Sequence, residues 1–270
     1  MIAKRTYKIG IVQAKIEQGK PDENIPKGIR MIREAAAKGA SIVCLPELFN
    51  TGYFITSQQL QALAEPQDGA FVQTLSKLAE ELGIYIIAGY CELCDIPGRI
   101  YNSAIFIDDK GKTIGNMRKV YVWAQEKMKF REGDKFPVYD TPLGKIGIMI
   151  CADIEYPEPS RIAAMKGAEL VFIPAVWSIP AARRWDVDLA GNALFNLMYT
   201  AGSNPVGEGV CGTSQVFGPD GEPVAVASKT EEEVIIAEIN RDYIVEVRAR
   251  IPYWNDFKEN TFSMNAVETY

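Results

Sequence analysis

Residues 38–46 read Lys-Gly-Ala-Ser-Ile-Val-Cys-Leu-Pro, and residues 166–174 read Lys-Gly-Ala-Glu-Leu-Val-Phe-Ile-Pro. In each copy a glycine ends a helical pattern, as glycine commonly does. An apolar run follows and stops at a proline. The first run, 41–45, is continuous rather than alternating, which is the pattern of a strand buried on both faces in a parallel sheet. A second match precedes these two in the same order: Lys8-Ile9-Gly10-Ile11 recurs as Lys145-Ile146-Gly147-Ile148. A helix–glycine–strand junction alone could give one such match, but two in register make coincidence a poorer account. Each copy is strand, helix, strand, so the repeat predicts an α/β chain with two similar sheets packed face to face and helices outside.

The rest of the chain fits around this repeat. Helical spacing of Ile25, Ile29, Ile32 and Ala36 predicts a helix over 23–38, and a second amphipathic stretch predicts one over 67–82, stopped by Gly83. Residues 8–14, 84–90, 145–150 and 170–173 read as strands. Residues 103–107 and 112–117 flank the turn at 108–111 as a hairpin. Helices are expected over 157–166 and 181–194, and the chain to about 240 as β-rich with a turn at 218–221. The last thirty residues, 241–270, show no period and are expected to form an extended tail at an interface of a single 1–270 domain.

Composition narrows the function. The chain has 270 residues, 47% hydrophobic and 24% charged, with a net charge of −6, which fits a globular protein and argues against binding nucleic acid. No apolar run reaches the roughly 18 residues a membrane helix needs, and no signal peptide is read at the N-terminus. Five cysteines, an odd number, point to a reducing cytoplasm rather than a disulfide framework. Cys91 and Cys94 form a C-x-x-C but lack two further ligands for zinc, so no metal or other cofactor is expected. There is no histidine. Ser-His-Asp and Cys-His triads are therefore impossible, and acid–base chemistry near neutral pH falls to a carboxylate or a lysine.

Three positions could carry such chemistry. Cys151 follows an apolar strand and precedes a helix, where the helix N-terminus would lower a thiol pKa and backbone N–H groups could hold an oxyanion. A buried structural cysteine would look the same. Glu47 ends the first repeated strand, where partial burial would suit a base, although an N-cap or loop salt bridge is the better account of it alone. Lys119 follows the hairpin and could face an oxyanion or simply solvent. Both Glu47 and Cys151 fall at carboxyl ends of buried strands, where α/β sheets usually bind ligands.

Together the fragments Leu45-Pro46-Glu47 with Gly52-Tyr53, Arg118-Lys119 with Glu126, and Ile150-Cys151-Ala152-Asp153 with Tyr156-Pro157-Glu158 and Arg161 resemble the signature of the nitrilase superfamily of carbon–nitrogen hydrolases, over nearly the whole chain. The resemblance implies a four-layer αββα sandwich with an internal pseudo-two-fold repeat, often paired into a homodimer or larger homo-oligomer. It also implies a Glu-Lys-Cys triad at Glu47, Lys119 and Cys151, with Glu126 as a second glutamate near the lysine. Two positions depart from the pattern. Tyr121 stands where a histidine is common, and residues 192–196 replace an Arg-Ala-x-Glu-Asn run. Nitrilases proper tend to carry Cys-Trp-Glu, so Cys151-Ala152-Asp153 favours an amidase acting on a small linear amide. A nitrilase, an N-carbamoyl amide hydrolase and a non-enzymatic fold relative remain as alternatives. Tyr53 and Trp177 are expected pocket walls, Ala152 an oxyanion donor, and Glu155 either a reader of substrate charge or a surface charge near a helix N-terminus.

Overall fold

The structure is a computed structural model and describes residues 5–256 and 258. The first half runs β1 (Thr6–Gln13), α1 (Pro21–Ala37), β2 (Ala40–Cys44), α2 (Ser57–Leu63), α3 (Ala70–Leu82), β3 (Tyr85–Leu93), β4 (Ile100–Ile107) and β5 (Thr113–Arg118). The second half runs β6 (Val138–Thr141), β7 (Gly144–Ile148), α4 (Pro157–Met165), β8 (Leu170–Pro174), α5 (Ala182–Asn196), β9 (Tyr199–Ser203), β10 (Gln215–Phe217), β11 (Pro223–Val226), β12 (Glu233–Asn240) and α6 (Arg241–Arg250).

The strands form two six-stranded sheets, ordered β12-β1-β2-β3-β4-β5 and β11-β10-β9-β8-β7-β6. In the first, β1, β2 and β3 are parallel and their outer neighbours antiparallel. In the second, β7, β8 and β9 are parallel and flanked in the same way. The two sheets therefore share one topology, with β1 and β2 corresponding to β7 and β8. The sequence repeat falls on these corresponding strands.

Alternation along the strands builds the layers. Ile42 and Cys44 join Ile9, Ile11, Ile146 and Phe172 in the sheet-to-sheet core. Val43 and Leu45, on the opposite face of β2, pack with Met31, Ile32, Phe71 and Leu75 of α1 and α3. Among the described residues, no helix is long and apolar enough to cross a membrane.

One expected element differs. Residues 241–250, read as the start of an extended tail, form α6. Asn240 caps it by accepting from the Asp242 N–H at 3.0 Å, with basic Arg248 and Arg250 in its last turn. Only Ile244 and Val247 are buried, too narrow a stripe to show as a period. The expected tail beyond Asp256, Lys258 apart, lies outside the described residues.

One glycine fixes how the Glu47 loop lies on the sheet. A Cβ on Gly89 of β3 would overlap the Pro46 carbonyl and come within 2.6 Å of Glu47 Cα. The loop can rest on β3 only because that side chain is missing, and the Phe49 N–H donates to the Gly89 carbonyl at 2.9 Å. Gly89→Ala is expected to cost about 1–3 kcal/mol of stability, as overpacking of a close contact does. Denaturant unfolding measures this, and an unchanged midpoint would contradict it.

Candidate active site

Glu47, Lys119, Cys151 and Glu126 come from four separate segments and meet at one end of the two sheets. Glu47 lies in the loop after β2, one residue before Leu48, whose backbone is left-handed at φ 47. Lys119 directly follows β5. Glu126 sits in a short 3-10 turn, Ala124–Met128. Cys151 is the third residue after β7 and opens another 3-10 turn, Cys151–Glu155, itself at φ 49. Left-handed backbone at non-glycine residues beside both Glu47 and the thiol is the kind of strain that clusters at functional sites.

Glu47 and Lys119 are fully buried and Glu126 nearly so. Lys119 Nζ donates to Glu47 Oε1 at 2.8 Å and to Glu126 Oε1 at 3.0 Å. Asn102 Nδ2, from β4, donates to the same two oxygens at 2.6 and 3.3 Å. The remaining oxygens take backbone donors: Glu47 Oε2 accepts from the Val176 N–H at 2.7 Å, and Glu126 Oε2 from the Trp123 N–H at 2.5 Å. Cys151 Sγ lies 3.9 Å from the Val176 carbonyl. Val176 thus touches both the carboxylate and the thiol.

These surroundings set the proton affinities. Burial raises the Glu47 carboxyl above its usual range, and the Glu126 charge adds to this against Lys119 and the hydrogen bonds. Burial alone would lower the Lys119 ammonium, but Cys151 when ionised, and the Glu47 and Glu126 carboxylates, outweigh it and raise the lysine's proton affinity. The Cys151 thiol is pushed up, first by burial and then by Glu47, with Lys119 opposing. This corrects the expectation from the strand-to-helix turn. The α-helix begins only at Pro157, six residues on, and desolvation outweighs what the short turn supplies. The cysteine rests as a thiol, so a base must take its proton.

A cleft of about 160 Å³ opens on Cys151. Tyr53, Ala152 and Trp177 line it, with Trp123, Glu155 and Arg184. Glu155 therefore faces the cleft and lies 3.3 Å from Arg184. Tyr121, in the place of the common histidine, stacks on Tyr156 at 3.7 Å between centroids.

Three supports escaped the sequence reading. Asp153 is fully buried. Its Oδ1 accepts from the Tyr121 N–H at 2.8 Å and the Val120 N–H at 3.2 Å, and its Oδ2 from the Ile150 N–H at 2.9 Å. One carboxylate thus ties the segment after Lys119 to the residue before Cys151. Asn192 of α5 donates to the Ile154 carbonyl at 3.0 Å and anchors the same turn. Asn102 is the third. Their partners are distant in sequence and mostly backbone, so only the residue types were visible.

The carbon-nitrogen hydrolase family model matches residues 8–249. A nitrilase of Pyrococcus abyssi is 38% identical, covering 93% of this chain and 96% of its own. Omega-amidase NIT2-A of Xenopus laevis is 34% identical, covering 91% and 93%. The crystal structure of Saccharomyces cerevisiae Nit3, a member of branch 10 of the nitrilase superfamily, is similar at a TM-score of 0.88 and 28% identity, covering 97% of this chain and 99% of that one.

Two outcomes follow from the geometry. Alkylation of Cys151 by iodoacetamide is expected to accelerate through pH 9, because a raised thiol pKa leaves the thiolate to form only as pH rises; a plateau reached by pH 6 would contradict it. Asp153→Asn replaces an acceptor with a donor against three N–H groups, two of them on the far segment. Its loss is expected to be about 1–3 kcal/mol, read as a lower unfolding midpoint together with slower Cys151 alkylation. Unchanged alkylation would contradict the coupling.

Proposed function

The chain belongs to the carbon-nitrogen hydrolase family, and from that premise we propose that it hydrolyses a small linear primary amide to its carboxylic acid and ammonia through a thioester on Cys151. One observation carries the reading: a fully buried Glu47–Lys119 pair lies beside the Cys151 side chain, which opens on a small cleft.

The steps follow from the charges. Glu47, whose proton affinity burial has raised, takes the proton from Cys151 as sulfur attacks the amide carbon. Negative charge develops on the carbonyl oxygen, facing the Lys119 ammonium and the Ala152 N–H. The intermediate collapses as the C–N bond breaks. Glu47 returns its proton to the nitrogen, and ammonia leaves a thioester. Water then enters, gives a proton to Glu47 and attacks the thioester carbon. Acid departs and the thiol is restored. Glu126 and Asn102 hold Lys119 and Glu47 in register throughout, and Tyr53 and Trp177 shape the acyl site.

Nitrile hydrolysis is a second reading, supported by the relative named a nitrilase. The Ala152-Asp153 pair after the cysteine, in place of Trp-Glu, supports the amide. We also propose that the protein works as a homo-oligomer in a reducing, cytoplasmic setting. Exposed Val187 and Phe195 on α5 support the first part, and five free cysteines the second.

Assay of pentanamide beside pentanenitrile, with ammonia detection, is expected to show turnover of the amide and little of the nitrile. Cys151→Ala is expected to abolish it, and Glu47→Gln to cost at least about a thousandfold, since residues acting as a unit fail together. Turnover retained by Cys151→Ala, or a preference for the nitrile, would contradict the proposal.

A further inference from the structure

Glu155 and Arg184 present opposite charges to the same small cleft as Cys151. Glu155 belongs to the turn that Cys151 opens, and Arg184 to α5. Their contact is loose: Arg184 Nε lies 3.3 Å from Glu155 Oε1, and the arginine side chain is 53% exposed. Water screens the half-exposed arginine, so Arg184 can take a second partner at small cost, while Glu155, 17% exposed, lines the cleft. The Arg184 guanidinium lies 5.5 Å from the Trp123 ring centroid, a second residue of the cleft wall.

A second acid stands behind the pair. Asp188 is one helical turn after Arg184. Its Oδ2 is buried with no hydrogen-bond partner. Its carboxyl is pushed up to about 6, by burial first and then by the Glu155 charge, against Arg184. Glu155 in the cleft wall and Asp188 behind it thus both bear on the one guanidinium of Arg184.

Resting on the amide-hydrolase reading, we infer that this wall receives a zwitterionic tail, an α-amino-acid head group on the substrate at the end away from the amide. The ammonium would meet Glu155, and the carboxylate the guanidinium nitrogens of Arg184. A tail with a carboxylate alone would face Glu155 as a like charge. A tail with an ammonium alone would sit beside the arginine's own charge. A zwitterion opposes both signs at once, by the same complementarity that fixes register at charged interfaces.

Four primary amides with the same five-carbon acyl chain test this: glutamine, glutaramate, 5-aminopentanamide and pentanamide. Their tails are zwitterionic, anionic, cationic and neutral. Glutamine is expected to lead the other three in kcat/KM by about tenfold or more. Glu155→Gln is expected to shift preference toward glutaramate, and Arg184→Gln, at an exposed position, toward 5-aminopentanamide. Pentanamide or either singly charged amide matching glutamine would overturn the inference while leaving the amidase reading intact. Equal losses on all four amides in both variants would also overturn it. Hydrolysis of none of the four by the unaltered protein would overturn the amidase reading, and this inference with it.

Discussion

Lys119 is a fully buried cation shared by two carboxylates. A charge buried alone costs several kcal/mol, and a buried pair is tolerated only when its geometry and remaining hydrogen bonds are satisfied. Here all four carboxylate oxygens of Glu47 and Glu126 have donors: the lysine, Asn102 and the two backbone N–H groups of Val176 and Trp123. Burial first, and then the Glu126 charge, gives Glu47 its raised proton affinity against the pull of the lysine. Removing the lysine would leave two acids crowded in a dry site, so local structure and chemistry depend on the same contact.

The pseudo-symmetric fold makes this meeting possible. Glu47 follows β2, and Val176 follows β8, its counterpart in the second sheet. Lys119 follows β5, and Cys151 follows β7. Each sheet supplies side chains from its strand ends, and the face-to-face packing brings them together. Asp153 then ties the lysine segment to the cysteine turn across that join, and Asn192 holds the turn to α5. The thiol needs this support because its own short turn does not activate it.

Much of the architecture was legible in the sequence, because burial leaves long patterns. The repeated junctions at 38–46 and 166–174 placed β2 and β8, and helical spacing placed α1 and α3 within a few residues. What escaped had a physical reason. Helix α6 buries too few residues to show a period. The direction of the Cys151 shift depends on depth of burial, which a strand-to-helix position does not report. Asn102 and Asp153 act on groups far away in sequence, several of them backbone. Glu155 was read more readily as a surface charge, and only the fold shows that it shares a cleft with Cys151 and Arg184.

In the proposed reaction Glu47 and Lys119 let the buried Cys151 thiol become an acyl carrier. The most direct measurement is mass spectrometry of protein quenched during steady-state turnover of an amide, followed by mapping of any acyl group to a peptide. The acyl mass is expected on the Cys151 peptide of the unaltered protein, disappearing as substrate is exhausted. Sustained turnover with no acyl group on Cys151, or with the group on another residue, would contradict it.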